Sequence, residues 1–176
     1  MANRQALREL QDRLAQRLKV ARAQGVSEAW LAVECAGVKH LIPLAQAGEI
    51  FPFSQPQAVP YTAPWFLGVS NLRGGLYSVV DFAGFATDQG RSLGGDYRRS
   101  EMRLVALNPA LETNCAIVID KLLGLRNREA FTGIADRAPG AHEWVGQTLI
   151  DAVGQAWVEL DIQRLAHSPR FLSVGI

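Results

Sequence analysis

Cysteine is nearly missing from this 176-residue chain: Cys35 and Cys115 are the only two, 80 residues apart in apolar, strand-like settings. Without a second pair there is no thiolate metal site to assemble, and both read as buried free thiols that pack like small hydrophobes. Histidine is almost as scarce. His40, His142 and His167 share no metal-ligand spacing and neighbour no nucleophile in sequence, so structural or surface roles are expected, with no metal and no cofactor. No apolar run approaches the ~18 residues of a bilayer span, and the N-terminus lacks the continuous apolar core of a signal peptide. The expectation is a cytoplasmic protein without membrane insertion. Residues 84–100 hold Gly84, Gly90, Gly94 and Gly95 with Arg91, Arg98 and Arg99, yet lack the Gly-Lys-Ser/Thr ending and strand-to-helix setting of a phosphate loop. They read as a mobile surface connection.

What is present is an ordinary globular composition, 48% apolar and 20% charged, with sixteen glycines and eight prolines spread along the chain. Such frequent turning favours many short strands. Charge is uneven: Arg4, Arg8, Arg13, Arg17, Lys19 and Arg22 against Glu9 and Asp12 give residues 1–25 a net of +4, and the total of +1 leaves −3 for the rest. A basic arm can meet nucleic acid or anionic lipid, but the simpler reading is a solvated helix face. Leu7, Leu10, Leu14 and Leu18 form an apolar stripe, so residues 3–24 read as one amphipathic helix ended by Gly25. The heptad breaks at Arg17, which favours docking on the protein's own body over a long coiled coil; docking of the stripe on a partner is the other reading.

From Trp30 the period changes to two. Trp30–Cys35 and Lys39–Leu44 flank Ala36-Gly37, a hairpin signal, and further strands are expected at Leu76–Asp81, Met102–Leu107, Cys115–Ile119, Trp144–Ile150 and Gln155–Leu160. Eight to ten strands in total match small barrels or sandwiches. A proline-rich link from Phe51 to Pro64 joins the first hairpin to the rest, and a short helix is expected from Asp161 to His167. Asp81, Asp120 and Asp161 each close an apolar run; accepting backbone N–H bonds at strand ends is their simplest role.

The most informative stretch runs from Pro64 to Phe82. It sets Arg73 on a glycine-flanked turn between two apolar runs, presenting a planar donor fork outward from a sheet. A single Arg73-Gly74-Gly75 between strands is unlike the repeated, disordered segments that bind nucleic acid. Two roles stay open for Arg73: an internal ion pair with Asp81 or Glu49, or contact with a partner.

At Gly68-Val69-x-Asn71-Leu72-Arg73-Gly74 and Val79-Val80-Asp81 the sequence resembles the central signature of the CheW family, the coupling proteins of bacterial chemosensory arrays. The Trp30 to Leu44 hairpin with Gly48-Glu49-Ile50 is similar to that family's opening, Cys115–Asp120 to its "VD" strand, and Trp157–Ile162 to its closing "LD" element. The resemblance covers residues 29–167, departing from the usual pattern at Gly75, Ser78 and Phe82. It implies a mainly β fold of two intertwined five-stranded SH3-like β-barrels, here with the N-terminal amphipathic α-helix at 1–26, the CheW-like domain at 27–168 and a C-terminal tail at 169–176. It also implies a non-catalytic adaptor between the cytoplasmic tip of a methyl-accepting chemoreceptor and the regulatory domain of a CheA-type histidine kinase, working at membrane-associated arrays. The partner-binding residues it points to are Arg73, Asn71, Gly68 and Gly74, with Leu44, Ala47 and Glu49 on the receptor side; catalytic residues are none. The N-terminal extension and the segment Ser168–Ile176 look like the subtype serving type IV pili and twitching motility. An ordinary flagellar coupling protein is the nearest alternative. A small-ligand-binding barrel with a cleft between its halves is a more distant one, and an enzyme would need acid/base residues that the sequence does not bring together.

Overall fold

Cys115–Ile119 is buried at all five positions, because this strand has a core on each side. Successive side chains of a strand point to opposite faces. Ala116 and Val118 join Leu72, Val79, Met102 and Leu104 in one apolar cluster, whereas Cys115, Ile117 and Ile119 join a second that reaches Trp65, Phe85 and Trp144. Ala29–Cys35 behaves alike: Trp30 and Ala32 face a third cluster with Leu41, Phe131, Leu149 and Trp157, while Leu31, Val33 and Cys35 face the second. Two small cores with a larger one between them are thereby written into strands that are apolar at nearly every position.

The computed structural model describes residues 28–93 and 96–176, the side chains of 96–98 excepted. The amphipathic segment 3–24, and Gly94 and Gly95, lie outside the described residues. The described residues form eleven strands, in order β1 Ala29–Cys35, β2 Val38–Pro43, β3 Ala47–Pro52, β4 Phe66–Leu72, β5 Gly75–Asp81, β6 Arg103–Leu107, β7 Cys115–Ile119, β8 Lys121–Asn127, β9 Phe131–Ala135, β10 Val145–Asp151 and β11 Ala156–Leu160. They form a six-stranded sheet ordered β8-β1-β2-β11-β10-β9 and a five-stranded sheet ordered β3-β6-β7-β5-β4. The chain starts in the first sheet, builds the second, and returns, so the two halves are intertwined as expected. The first sheet has six strands where five were expected.

Both sheets curl until their edges meet. In the six-stranded sheet the edges β8 and β9 are joined by the short helical turn Arg128–Ala130, and Phe131 of β9 meets the Trp30 ring edge-on at 5.8 Å. In the five-stranded sheet Gln57, downstream of the edge strand β3, pairs with Val69 of the opposite edge strand β4 through reciprocal backbone bonds of 2.8 and 2.9 Å. Gly68 makes that closure possible. Its φ is +125°, and a Cβ there would lie 2.0 Å from the Gln57 carbonyl oxygen.

The segment after β5, read from sequence as a loose connection, begins instead as the buried helix Phe82–Thr87. Phe85 packs between Trp65 and Trp144. The C-terminal tail, residues 169–176, packs on the body: Phe171 is buried against Trp65 and Phe85, and Val174 and Ile176 bond the backbone of Ala63 and Tyr61. Asp161 takes the expected strand-end role, capping the helix Ile162–His167 by accepting from Arg164 N. Both cysteines are buried and free; burial pushes the Cys115 thiol up to about 12, and burial together with the nearby Asp120 charge raises Cys35 further. Among the described residues, no helix is long and apolar enough to cross a membrane.

Candidate functional site

Arg73 and Gly74 form the two-residue loop between β4 and β5, with φ of +49° and +86°. Positive φ at both central positions is the primed turn whose twist matches an antiparallel hairpin. Gly74 adopts it freely, and Asn71 fixes it by accepting a hydrogen bond from Gly74 N at 2.8 Å. Arg73 takes it without being glycine, an uncommon state for an L-residue. The hairpin turn Ala36-Gly37 has the same geometry, but there the non-glycine position carries only a methyl group. At Arg73 it carries a guanidinium.

That guanidinium leans across the barrel closure. Its Nη1 lies 2.6 Å from Glu49 Oε1, and its centre sits 5.9 Å from the ring of Phe51. Glu49 and Phe51 belong to β3 and Arg73 to the turn that follows β4, so the contact joins opposite edges of the same sheet. Of the two ion-pair partners open from sequence, the structure selects Glu49. The Arg73 side chain remains 75% exposed and that of Glu49 43%, so water and salt screen the pair and its contribution to stability is about 0–1 kcal/mol.

Of the seven residues singled out from sequence, Arg73, Asn71, Gly74 and Glu49 come together at this turn. Gly68 is buried one strand-length away and acts on barrel closure. Ala47 packs partly buried against the central core. Leu44 lies elsewhere: it is exposed at the end of β2 and lines an open pocket of about 440 Å³ with Ala29, Trp30 and Glu159. Phe51, the aromatic rest for the guanidinium, carried no sequence signal beyond its apolar type.

A second arginine, read from sequence only as part of a surface connection, proves structural. Arg91 reaches from the connection after Phe82–Thr87 to Asp81 and Asp120. Its Nε donates to both Asp81 oxygens at 2.9 and 2.8 Å, and Nη1 donates to Asp120 Oδ1 at 2.8 Å. Nη2 lies 2.7 Å from Asp81 Oδ1 as an ion-pair contact without hydrogen-bond direction. Burial works against the guanidinium charge, but the bonds to the two aspartates outweigh it and hold the pKa above its ordinary value. Asp120 also accepts from Ala36 N at 2.6 Å, and its own N–H donates to Glu34 O. The node therefore ties the β1–β2 hairpin of one sheet to β5 and β7 of the other. For Asp81 this replaces the expected backbone-accepting role with an ion pair; a sequence gap of ten residues to Arg91, across a helix, hid it.

The histidines stay apart from this node. His40 is buried edge-on to Phe82, and burial lowers its pKa to about 4; His142 stacks on Trp144. Among the described residues no cluster of His, Cys, Asp and Glu can hold a metal ion. The space between the two barrels is filled by aromatic and aliphatic side chains, which is where a ligand-binding cleft would have to lie. The arrangement offers an exposed arginine held by a stiff turn, over a closed and well-packed body.

Residues 29–170 match the family described as CheW-like domain. No curated relative matches the chain at a significant level. Among solved structures, the crystal structure of the scaffolding protein TtCheW from Thermoanaerobacter tengcongensis is similar, with a TM-score of 0.63 over 80% of this chain and 88% of that one at 12% identity. At that identity the likeness speaks for the fold.

Proposed function

The chain belongs to the CheW-like domain family, and on that premise we propose that it is a non-catalytic adaptor coupling methyl-accepting chemoreceptors to a CheA-type histidine kinase. One observation carries the reading: Arg73 is held in an uncommon backbone conformation while its side chain stays 75% exposed. Non-glycine residues held at positive φ cluster at binding and switch sites, and of the five such residues among those described Arg73 is the one that carries a guanidinium. A guanidinium displayed this way gives a partner a charge-assisted, directional bond, and so sets register where apolar contacts alone would slide. Asn71 and Gly74 shape the turn, Glu49 steers the guanidinium until a partner replaces it, and Gly68 holds the barrel beneath. Leu44 and Ala47 supply apolar surface on the receptor side.

Within the family we assign the chain to the PilI-like adaptors of the system controlling type IV pili and twitching motility. The support is the basic, leucine-striped extension ahead of residue 29 and the segment Ser168–Ile176. Co-purification of the tagged protein from its own cells separates a pilus-system kinase from a flagellar one. The adaptor role itself is tested by Arg73→Glu, which is expected to lose co-precipitation of receptor and kinase with an unchanged melting temperature. Capture equal to the wild type would remove Arg73 from the interface.

A further inference from the structure

Two open pockets flank Ala29, where the described chain enters its first strand, and they differ in charge. One, of about 480 Å³, is lined by Ala29, Leu125, Arg126, Asn127 and Ala130 and carries a cation on its wall. The other, of about 440 Å³, has an apolar floor of Ala29, Trp30, Pro43, Leu44 and Ala45, rimmed by Glu28 and Glu159. The second is stiff. Leu44 N donates to Ala29 O at 2.9 Å, and Trp30 Nε1 donates to Glu159 Oε1 at 2.8 Å, which fixes both the floor and the acidic rim.

The segment that ends at this pocket has complementary chemistry. Leu7, Leu10, Leu14 and Leu18 fall on one face at helical spacing, among six basic side chains that give residues 1–25 a net of +4, against −3 for the remaining residues. Only residues 26 and 27 separate Gly25 from Glu28 at the pocket rim. A leucine stripe of this kind suits an apolar groove, and a tether of so few residues corresponds to an effective concentration of order mM, without any second molecule. The basic wall at Arg126 disfavours the other pocket, and the acidic rim favours this one; Glu28 faces Arg128 at 4.0 Å with both side chains exposed, a weak pair that an incoming cation replaces at little cost.

We infer that the basic, leucine-striped segment 3–24 docks in cis across Ala29, Trp30, Pro43, Leu44 and Ala45, with its cations toward Glu28 and Glu159. Docked there, it covers Leu44. On the adaptor reading above, the segment then competes with a receptor for that face and acts as a built-in shield; the docking itself does not depend on that reading.

The test uses the full chain. Ala45→Cys is combined in turn with Leu10→Cys, Leu14→Cys or Leu18→Cys on the stripe, and with Gln16→Cys on the opposite face. The native Cys35 and Cys115 are buried and serve as the unreactive background. Under mild oxidation at least one stripe pair is expected to form an intramolecular disulfide roughly tenfold faster than the Gln16 pair or more, as tethered thiols held in contact do. Adding Glu28→Gln and Glu159→Gln, or raising salt, is expected to slow that reaction. Equal rates on both faces, or none with any stripe position, overturns the inference. Disulfides found only between two chains overturn it in favour of a second copy on the groove. Receptor and kinase capture is not read in this experiment, so its failure is separate from a failure of the adaptor role.

Discussion

Arg91 and Arg73 make the same chemical contact, guanidinium to carboxylate, in opposite surroundings. Arg91 meets Asp81, whose side chain is 1% exposed, and is itself 24% exposed; Arg73 meets Glu49 with both side chains in water. A buried pair cannot lose one member without leaving a charge in a medium that will not solvate it, whereas an exposed pair is replaced by water at little cost. The first contact therefore belongs to the fold and the second is available for exchange. An arginine that stabilises little, yet is held in a strained turn, is free to change partners.

The largest expected effect breaks the buried side of this comparison. Arg91→Met keeps the aliphatic stem and strands Asp81, so stability is expected to fall by about 3–5 kcal/mol, read as a lower urea midpoint with an unchanged slope. Arg73→Met, measured identically, is expected to cost less than ~1 kcal/mol. Equal losses would erase the distinction between the two arginines.

A polar group with no counter-ion sharpens the same contrast. His40 lies edge-on against Phe82, and its pKa in the folded protein is lowered to about 4 by burial, against ~6.5 in an unfolded chain. Between those values the unfolded chain takes up a proton that the folded one refuses. The stability that neutral His40 allows is complete above pH ~6.5 and is lost as pH falls toward 4, by on the order of 3 kcal/mol across the window. His40→Gln is expected to flatten that part of the stability–pH curve, followed by urea titration at stepped pH. An unchanged acid limb would place the loss in other groups.

A smaller effect is expected at the turn. A Cβ added at Gly74 meets nothing within 4 Å, but φ is +86°, so Gly74→Ala costs only backbone strain, about 1 kcal/mol. The measurement is the midpoint alone. A much larger loss would mean that the turn supports the barrel and not merely Arg73.

These regions were unequally legible in the sequence. Strands buried on both faces announce themselves as unbroken apolar runs, and β7 Cys115–Ile119 was found to the residue. The turns Ala36-Gly37 and Arg73-Gly74 were legible because two-residue hairpins demand residues that tolerate positive φ. The edge strands β8 and β9 were not. Lys121–Asn127 has exposed residues scattered along it, and Phe131–Ala135 buries only Phe131, so neither shows a period. β3 was hidden in a proline-flanked segment where Gly48 and Pro52 argue against a strand. The Arg91 node was invisible for another reason. Asp81 and Asp120 are set side by side by the parallel pairing of β5 with β7, distant in sequence, and Arg91 returns to them only after the helix Phe82–Thr87. The candidate site was read better than the node because it is local in sequence, apart from Glu49, which barrel closure delivers to it.

The smallest stability effect carries the most functional information. Glu49→Arg combined with Arg73→Glu reverses the pair while keeping an ion pair across the closure. If Arg73 served only to hold β3 against the end of β4, the reversed pair would serve as well, and the double variant would match the wild type in both melting and partner capture. If Arg73 is there to be given up to a partner, the double variant melts like the wild type, within ~1 kcal/mol, yet fails to capture receptor or kinase as Arg73→Glu alone fails. The coupling energy of the cycle, taken separately for stability and for binding, then divides the residue's two roles. A small coupling in stability beside an unrescued loss of binding assigns the guanidinium to the partner and leaves Glu49 as the acceptor that occupies it meanwhile.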